Sequence, residues 1–95
     1  MRFEWDPGKN RRNWRKHGVS FEQASELFTS GTDFFEIYDE HHSAKEEWFL
    51  AVGPIAAGVV VVVYVEVDED TVRIISARMA TPRERRLYRE HMEAT

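Results

Sequence analysis

A chain of 95 residues with 42% hydrophobic residues suits one small domain with a modest core, so we expect a single domain over residues 1–95. It contains no cysteine, which excludes disulfide bridges and thiolate metal sites. Its net charge of −4 is unevenly distributed. Residues 1–17 carry six basic and two acidic side chains (+4), and residues 73–95 carry six basic and three acidic ones (+3). Residues 18–72 carry one basic and twelve acidic side chains (−11).

These charges predict a local basic surface on an acidic protein, provided that the fold brings the two ends of the chain together. Such a surface would suit a polyanion. The alternative is that the arginines only solvate two helices and pair with nearby carboxylates, because charge patterns by themselves have low specificity.

The first predicted elements are a short extended segment at Phe3–Trp5 and a helix that follows it. Asp6-Pro7 is typical of a helix start, with an aspartate N-cap and a proline at the first helical position. Gly18 suits the left-handed residue that follows a helix, so this helix is predicted to end at residue 16 or 17. Trp14 is its predicted anchor to the core.

A second helix is predicted from the capping box formed by Ser20 and Gln23. Its apolar side chains recur at helical spacing: Phe21, Ala24, Leu27 and Phe28. The loop at residues 29–33, which contains Gly31, ends this helix.

Four strands are predicted to follow, at residues 34–38, 46–52, 59–67 and 71–77. Gly53-Pro54 is predicted to close the second of them. The third strand is apolar at both parities until Glu66, which predicts a central strand covered on both faces. Short connections between the strands predict an antiparallel meander.

The last helix is predicted from a second capping box at Thr81–Glu84, with Pro82 at the first helical position. It should run to about Met92, with Leu87 and Tyr88 facing inward. Because helices and strands segregate along the chain, the predicted fold class is α+β.

Two sequence blocks, KHGVSFE at residues 16–22 and RIISAR at residues 73–78, carry a family resemblance. Together with Trp5-Asp6-Pro7, Lys9, Asn13, Ala80-Thr81 and Glu84, they resemble the BrnT family of type II toxin–antitoxin toxins. The resemblance implies a RelE-like fold with a short N-terminal strand, two helices, an antiparallel meander and a C-terminal helix. It also implies an endoribonuclease that needs no metal or other cofactor and arrests translation.

The same resemblance implies a BrnA-type antitoxin that binds DNA, so that this chain would meet DNA only through its partner. The antitoxin is expected to cover the basic surface, including the arginine-bearing helix and a sheet edge. The chain departs from the family pattern at Trp48, where an arginine is usual, and in the apolar turn at residues 53–58. An inactive module that only binds its antitoxin is therefore an open alternative; a plain nucleic-acid-binding protein is disfavoured, because no recognition helix or RNP motif is evident.

RNA cleavage by the 2′-hydroxyl requires groups that accept and donate protons and cations that stabilise the phosphorane. Arg78 is the first catalytic candidate and Arg73 the second, because both belong to a predicted strand or follow it directly. Arg83, in the first turn of the last helix, is a candidate for RNA binding. The alternative for Arg78 is a structural ion pair with a carboxylate such as Glu22 or Glu84.

His17 is the candidate general acid or base, because histidine side chains ordinarily titrate near neutral pH. Glu22 is a second candidate base, or a residue that orients His17. Lys9 and Lys16 share a helical stripe and are candidates for binding the RNA phosphates. The alternatives are that His17 caps the helix end, that Glu22 stabilises a helix N-terminus, and that the lysines are solvated.

No metal site is expected, because the contiguous Asp39–His42 cluster lacks the separated ligands of closed sites. Trp5, Trp14 and Trp48 could stack on RNA bases, although we expect at least two of them in the core. The N-terminus lacks the apolar region of a signal peptide and the apolar runs are too short to span a bilayer. We therefore expect a cytoplasmic protein that makes no membrane contact.

Overall fold

The computed structural model describes residues 1–40 and 46–93. The elements within these residues, in chain order, are β1 (Arg2–Glu4), α1 (Pro7–His17), α2 (Phe21–Thr29), β2 (Phe35–Asp39), β3 (Trp48–Ile55), β4 (Gly58–Asp68), β5 (Thr71–Met79) and α3 (Pro82–Glu93). The strands form one sheet in the order β1-β5-β4-β3-β2, which confirms the α+β class. None of the helices described is long and apolar enough to cross a membrane.

The sheet is mixed. Strands β2 to β5 pair as the predicted antiparallel meander, whereas β1 lies parallel to β5, with Phe3 opposite Val72. Strand β4 is in the middle, as its apolar pattern predicted, with Val62 buried on one face and Val61 on the other. Glu66 is exposed, as expected where β4 leaves the covered region.

The first face of the sheet is covered mainly by α2. Phe21, Ala24 and Leu27 are almost fully buried against it, as their spacing predicted. The capping box of α2 is present, since the Gln23 N–H donates to Ser20 Oγ at 3.0 Å and the Ser20 N–H donates to Gln23 Oε1 at 2.8 Å.

The second face of the sheet is organised in cross-strand rows, as the strand register shows. The first row is Phe35, Val52, Val61 and Arg78; the second is Ile37, Leu50, Val63 and Ser76; the third is Asp39, Trp48, Val65 and Arg73. An extra residue in β5, Ile75, forms a bulge between the second and third rows, which keeps Arg73 on this face.

Helix α3 lies over the first row. The Tyr88 ring stacks on Phe35 with centroids 6.3 Å apart, and its hydroxyl donates to the Asp33 carbonyl at 2.8 Å. The prediction that Leu87 faces inward is wrong, because this side chain is 47% exposed. The partly buried residues of α3 are Glu84, Tyr88 and Met92, which follow helical spacing and leave Leu87 on a flank.

The prediction that Gly53-Pro54 ends its strand is also wrong, since β3 continues to Ile55. Strand β2 pairs with β3 only as far as Val52, so Pro54 lies where β3 has a free outer edge and a missing N–H is tolerated. Gly53 is required by packing, because a Cβ there would lie 2.7 Å from both Leu27 Cδ1 and Phe34 Cβ.

Trp14 is not the core anchor that the sequence predicted, because it is 58% exposed. The buried residue of α1 is Asn13. Its Nδ2 donates to the carbonyls of Ala77 (2.7 Å) and Val19 (2.9 Å), and its Oδ1 accepts the Ala77 N–H at 3.2 Å. Strand β1 pairs with β5 only at residues 71–73, so the Asn13 amide takes the place of a strand neighbour further along this edge.

Replacing Asn13 with alanine should lower the free energy of unfolding by about 2–3 kcal/mol, because buried backbone groups of Ala77 and Val19 lose their partner. Trp14→Ala is the matched control on the next residue; as an exposed position it should change stability by about 0.5 kcal/mol or less. Urea denaturation measures both values, and a larger loss for Trp14→Ala would contradict the assignment of Asn13 as the anchor.

Candidate functional site

A cleft of about 340 Å³ lies where α1 meets β5. The residues that line it are Lys9, Arg12, Asn13, Lys16, His17, Ile75 and Ser76. Among the described residues this lining contains three cations and no carboxylate, and none of the three belongs to an ion pair. The cleft is therefore suited to an anionic ligand.

The local structure of α1 explains why these cations lie together. The helix begins as predicted, with Asp6 Oδ1 accepting the Gly8 N–H at 2.8 Å, and ends at Gly18, whose φ is 73°. Between these ends Lys9, Arg12 and Lys16 follow the i, i+3, i+7 spacing of one helical stripe. Because Asn13 on the adjacent stripe is bonded to β5, the three cations are held beside the edge of that strand.

His17 is half-buried in this cleft. No hydrogen bond joins its imidazole to another described residue, so the alternative role of His17 as a cap on the helix carbonyls has no support among the described residues. Glu22 does not orient it, because Glu22 Oε1 instead accepts from Asn10 Nδ2 at 2.6 Å. Asn10 Oδ1 in turn accepts the Phe21 N–H at 2.8 Å, which ties α1 to the start of α2.

Arg78 lies outside the cleft, in the first row of the second face, and forms a bidentate ion pair with Glu84. The distances are 2.6 Å from Nη1 to Oε1 and 2.8 Å from Nη2 to Oε2. Glu84 Oε1 also accepts the Thr81 N–H at 2.8 Å, and Thr81 Oγ1 accepts the Glu84 N–H at 3.2 Å, which confirms the predicted capping box. Of the two carboxylates considered as structural partners of Arg78, Glu84 is the one in contact.

Hydrogen bonding to Arg78 lowers the pKa of Glu84 to about 2, with further contributions from Thr81. The same contact raises the pKa of the Arg78 guanidinium. Both groups therefore stay charged across the physiological range, and this pair fastens the start of α3 to the end of β5.

The other predicted arginines differ in their surroundings. Arg73 Nη2 lies 2.9 Å from Glu4 Oε1 and its Nη1 lies 3.5 Å from Glu46 Oε2, so it links β1 to the segment before β3. Arg83 is exposed, and no ion pair with another described residue involves it.

The structure thus brings together Lys9, Lys16 and His17, and it places Arg73 and Arg78 on the rows on either side of Ser76. Glu22 lies apart from these residues, in a depression beside Trp14. Sequence reasoning missed Arg12 and Ser76 as lining residues. Helical spacing from Lys9 and Lys16 indicates Arg12, and Ser76 lies within the RIISAR block that carries the family resemblance.

No cluster of three potential metal ligands occurs in residues 1–40 and 46–93. The Asp39–His42 cluster, where no metal site is expected, lies partly outside the described residues, since His41 and His42 are not among them.

Acid titration should reveal the Arg78–Glu84 pair. Because the folded pKa of Glu84 is about 2 and its ordinary value is 4.5, the stabilisation is complete above pH 4.5 and is lost as the pH falls from 4.5 toward 2. Glu84→Gln should therefore flatten the acid limb of stability against pH, measured by urea denaturation. Glu90→Gln, on the exposed side of the same helix, is the control; an equal flattening in both variants would contradict the assignment.

Comparison with known proteins agrees with this fold. A family model described as "Ribonuclease toxin, BrnT, of type II toxin-antitoxin system" matches residues 5–84. The crystal structure of the Brucella abortus ribonuclease toxin BrnT aligns with a TM-score of 0.62 at 25% sequence identity, over 85% of this chain and 97% of that one. No curated protein matches. Because the family model spans most of the chain, this protein belongs to the BrnT family of ribonuclease toxins of type II toxin–antitoxin systems.

Proposed function

We propose that this chain is an endoribonuclease that cleaves RNA without a metal ion, and that the cleft between α1 and β5 binds the reacting phosphate. The observation that supports this most directly is that Lys9, Arg12 and Lys16 surround His17 without any described carboxylate in the lining. Cations at fixed positions stabilise the charge that develops on a phosphorane, and a histidine beside them is suited to proton transfer.

In the proposed reaction the ribose 2′-hydroxyl attacks the adjacent phosphorus and loses its proton to a base. The bond from phosphorus to the 5′-oxygen breaks, and that oxygen takes up a proton as it leaves. The products are a 2′,3′-cyclic phosphate and a 5′-hydroxyl. His17 acts in one of the two proton transfers, and the cations bind the non-bridging oxygens.

One observation favours the alternative of an inactive module that only binds an antitoxin. Arg73 and Arg78, the two strand arginines predicted to be catalytic, are both ion-paired, with Glu4 and Glu46 in one case and with Glu84 in the other. A paired guanidinium offers fewer donors to phosphate. The cations of the cleft are not restricted in this way, which is why we favour the ribonuclease.

The partner of a type II toxin is an antitoxin, and we propose a BrnA-type protein that covers the cleft between α1 and β5. The cations that would bind RNA would then face acidic groups of the antitoxin, and the toxin would contact DNA only through it. We also propose that the toxin acts in the cytoplasm, where its cleavage of translated RNA would arrest protein synthesis.

The first test is cleavage of a long single-stranded RNA in EDTA by wild type, His17→Gln and Arg15→Ala. Loss of a general acid or base should slow cleavage by about a hundredfold or more, whereas Arg15→Ala, an exposed position of the same helix outside the cleft lining, should stay within about twofold of wild type. Mass spectrometry should find cyclic phosphate ends. No cleavage by folded wild type, also with translating ribosomes, would favour the binding module.

A second test separates catalysis by Arg78 from its structural role. If Arg78 contacts the phosphate, Arg78→Ala should lose cleavage while Glu84→Gln, which breaks the same ion pair but keeps the guanidinium, retains it. Thermal melts identify variants that remain folded. Equal loss of cleavage and of stability in both variants would show that Arg78 acts only by fastening α3.

A further inference from the structure

The second row of the sheet's second face is incompletely covered. Its apolar members are Ile37, Leu50 and Val63, and α3 packs over the neighbouring first row instead. Ile37 is 49% exposed, and Leu50 and Val63 are only partly buried. This row ends at Ser76, which lines the basic cleft, so an apolar surface leads directly to the proposed phosphate site.

This surface is bordered by Trp48 on one side and by helix α3 on the other. Trp48, in the third row, lies on the same strand face as Leu50 and is partly buried. On the other side, Arg85 and Arg89 of α3 line a pocket with Val59, which lies beyond the first row. Helical spacing places the exposed Leu87 on the opposite flank of α3, which is the flank on the side of the second row.

We propose that this surface binds one unpaired nucleobase of the RNA whose phosphate occupies the cleft. Leu50 and Val63 form its floor, and Trp48 and Leu87 form its walls. The inference rests on the proposed function and extends it, because it makes single-stranded RNA the substrate class and makes this surface the contact that senses a base beside the cut.

A nucleic acid suits this surface better than a protein segment for two reasons. Single-strand binding sites combine a cationic path for phosphates with aromatic surfaces for bases, and apolar side chains also hold unstacked bases in pockets. Here Ser76 is common to the cationic and the apolar part. The apolar floor beside the cleft is also small, since the first row is already covered by α3 and the third row carries Asp39 and Arg73 at its two ends.

Binding of short 2′-O-methyl RNA tests the proposal, because this RNA lacks the attacking hydroxyl and cannot be cleaved. Fluorescence anisotropy compares a uridine heptamer with the same heptamer carrying one abasic position. Wild type should bind the complete heptamer about tenfold more tightly. Trp48→Ala and Val63→Asn should reduce the ratio of the affinity for the complete heptamer to that for the abasic heptamer to about twofold or less. The affinity for the abasic heptamer itself should not change in these variants. Trp48→Phe should retain the wild-type ratio.

Trp14→Ala is the matched control, because Trp14 is an exposed tryptophan that does not border this surface. Loss of the ratio in Trp14→Ala but not in Trp48→Ala would overturn the proposal, as would equal binding of the two heptamers by wild type. If Trp48→Ala and Val63→Asn keep the wild-type affinity ratio but no longer copurify with an antitoxin, the surface binds the protein partner. This outcome would also overturn the proposal.

Cleavage of unmodified RNA is scored separately. Tighter binding of the complete heptamer without cleavage would support the base site and contradict the ribonuclease. Cleavage with equal binding of the two heptamers would support the ribonuclease and contradict the base site.

Discussion

The hydrogen bonds of Asn13 are the interaction on which the rest of the structure depends. One amide satisfies the N–H and C=O of Ala77 on the open edge of β5 and the carbonyl of Val19 before α2. A buried edge of this kind would otherwise leave backbone groups without partners, which costs more than an ordinary hydrogen bond contributes. Because α1 carries both this amide and the cations of the cleft, the bonds that complete the sheet also position the candidate site.

The second fixed point is the start of α3. Glu84 accepts hydrogen bonds from Arg78 on β5 and from the Thr81 N–H of its own helix, so one carboxylate both caps the helix and docks it. This arrangement has a chemical consequence, since the most strongly predicted catalytic arginine is held by a structural contact. Because Glu84 binds the Arg78 guanidinium, this arginine has fewer donors left for a phosphate. Lys9, Arg12 and Lys16 of α1 are therefore the better candidates for phosphate binding.

The acidic overall charge conceals a basic site because the chain ends converge on one strand. Strand β1 pairs with β5 and α1 packs on its edge, while α3 follows β5 directly. Within the described residues, Glu46 is the only carboxylate of residues 18–72 that forms an ion pair with a cation of the chain ends, namely Arg73. Local concentration of cations, rather than net charge, therefore accounts for a surface that suits RNA.

Much of this protein was readable from the sequence. The caps at Asp6, Ser20 and Thr81, the central position of β4 and the apolar stripe of α2 all depend on contacts between near neighbours or on periodicity. The stripe that holds Lys9 and Lys16 and the specific blocks of the family resemblance are local in the same sense. Such signals do not require knowledge of which distant segments meet.

Tertiary structure decided the features that depend on distant contacts. It buried Asn13 instead of Trp14, because the edge of β5 needs a donor and an acceptor more than an apolar side chain. It extended β3 through Gly53, because residues 53–55 continue to pair with β4. It brought Ser76 to the cleft and paired Arg78 with Glu84. The sequence by itself thus determined the elements and the family, whereas the pairing of distant polar groups decided which side chains are free to act.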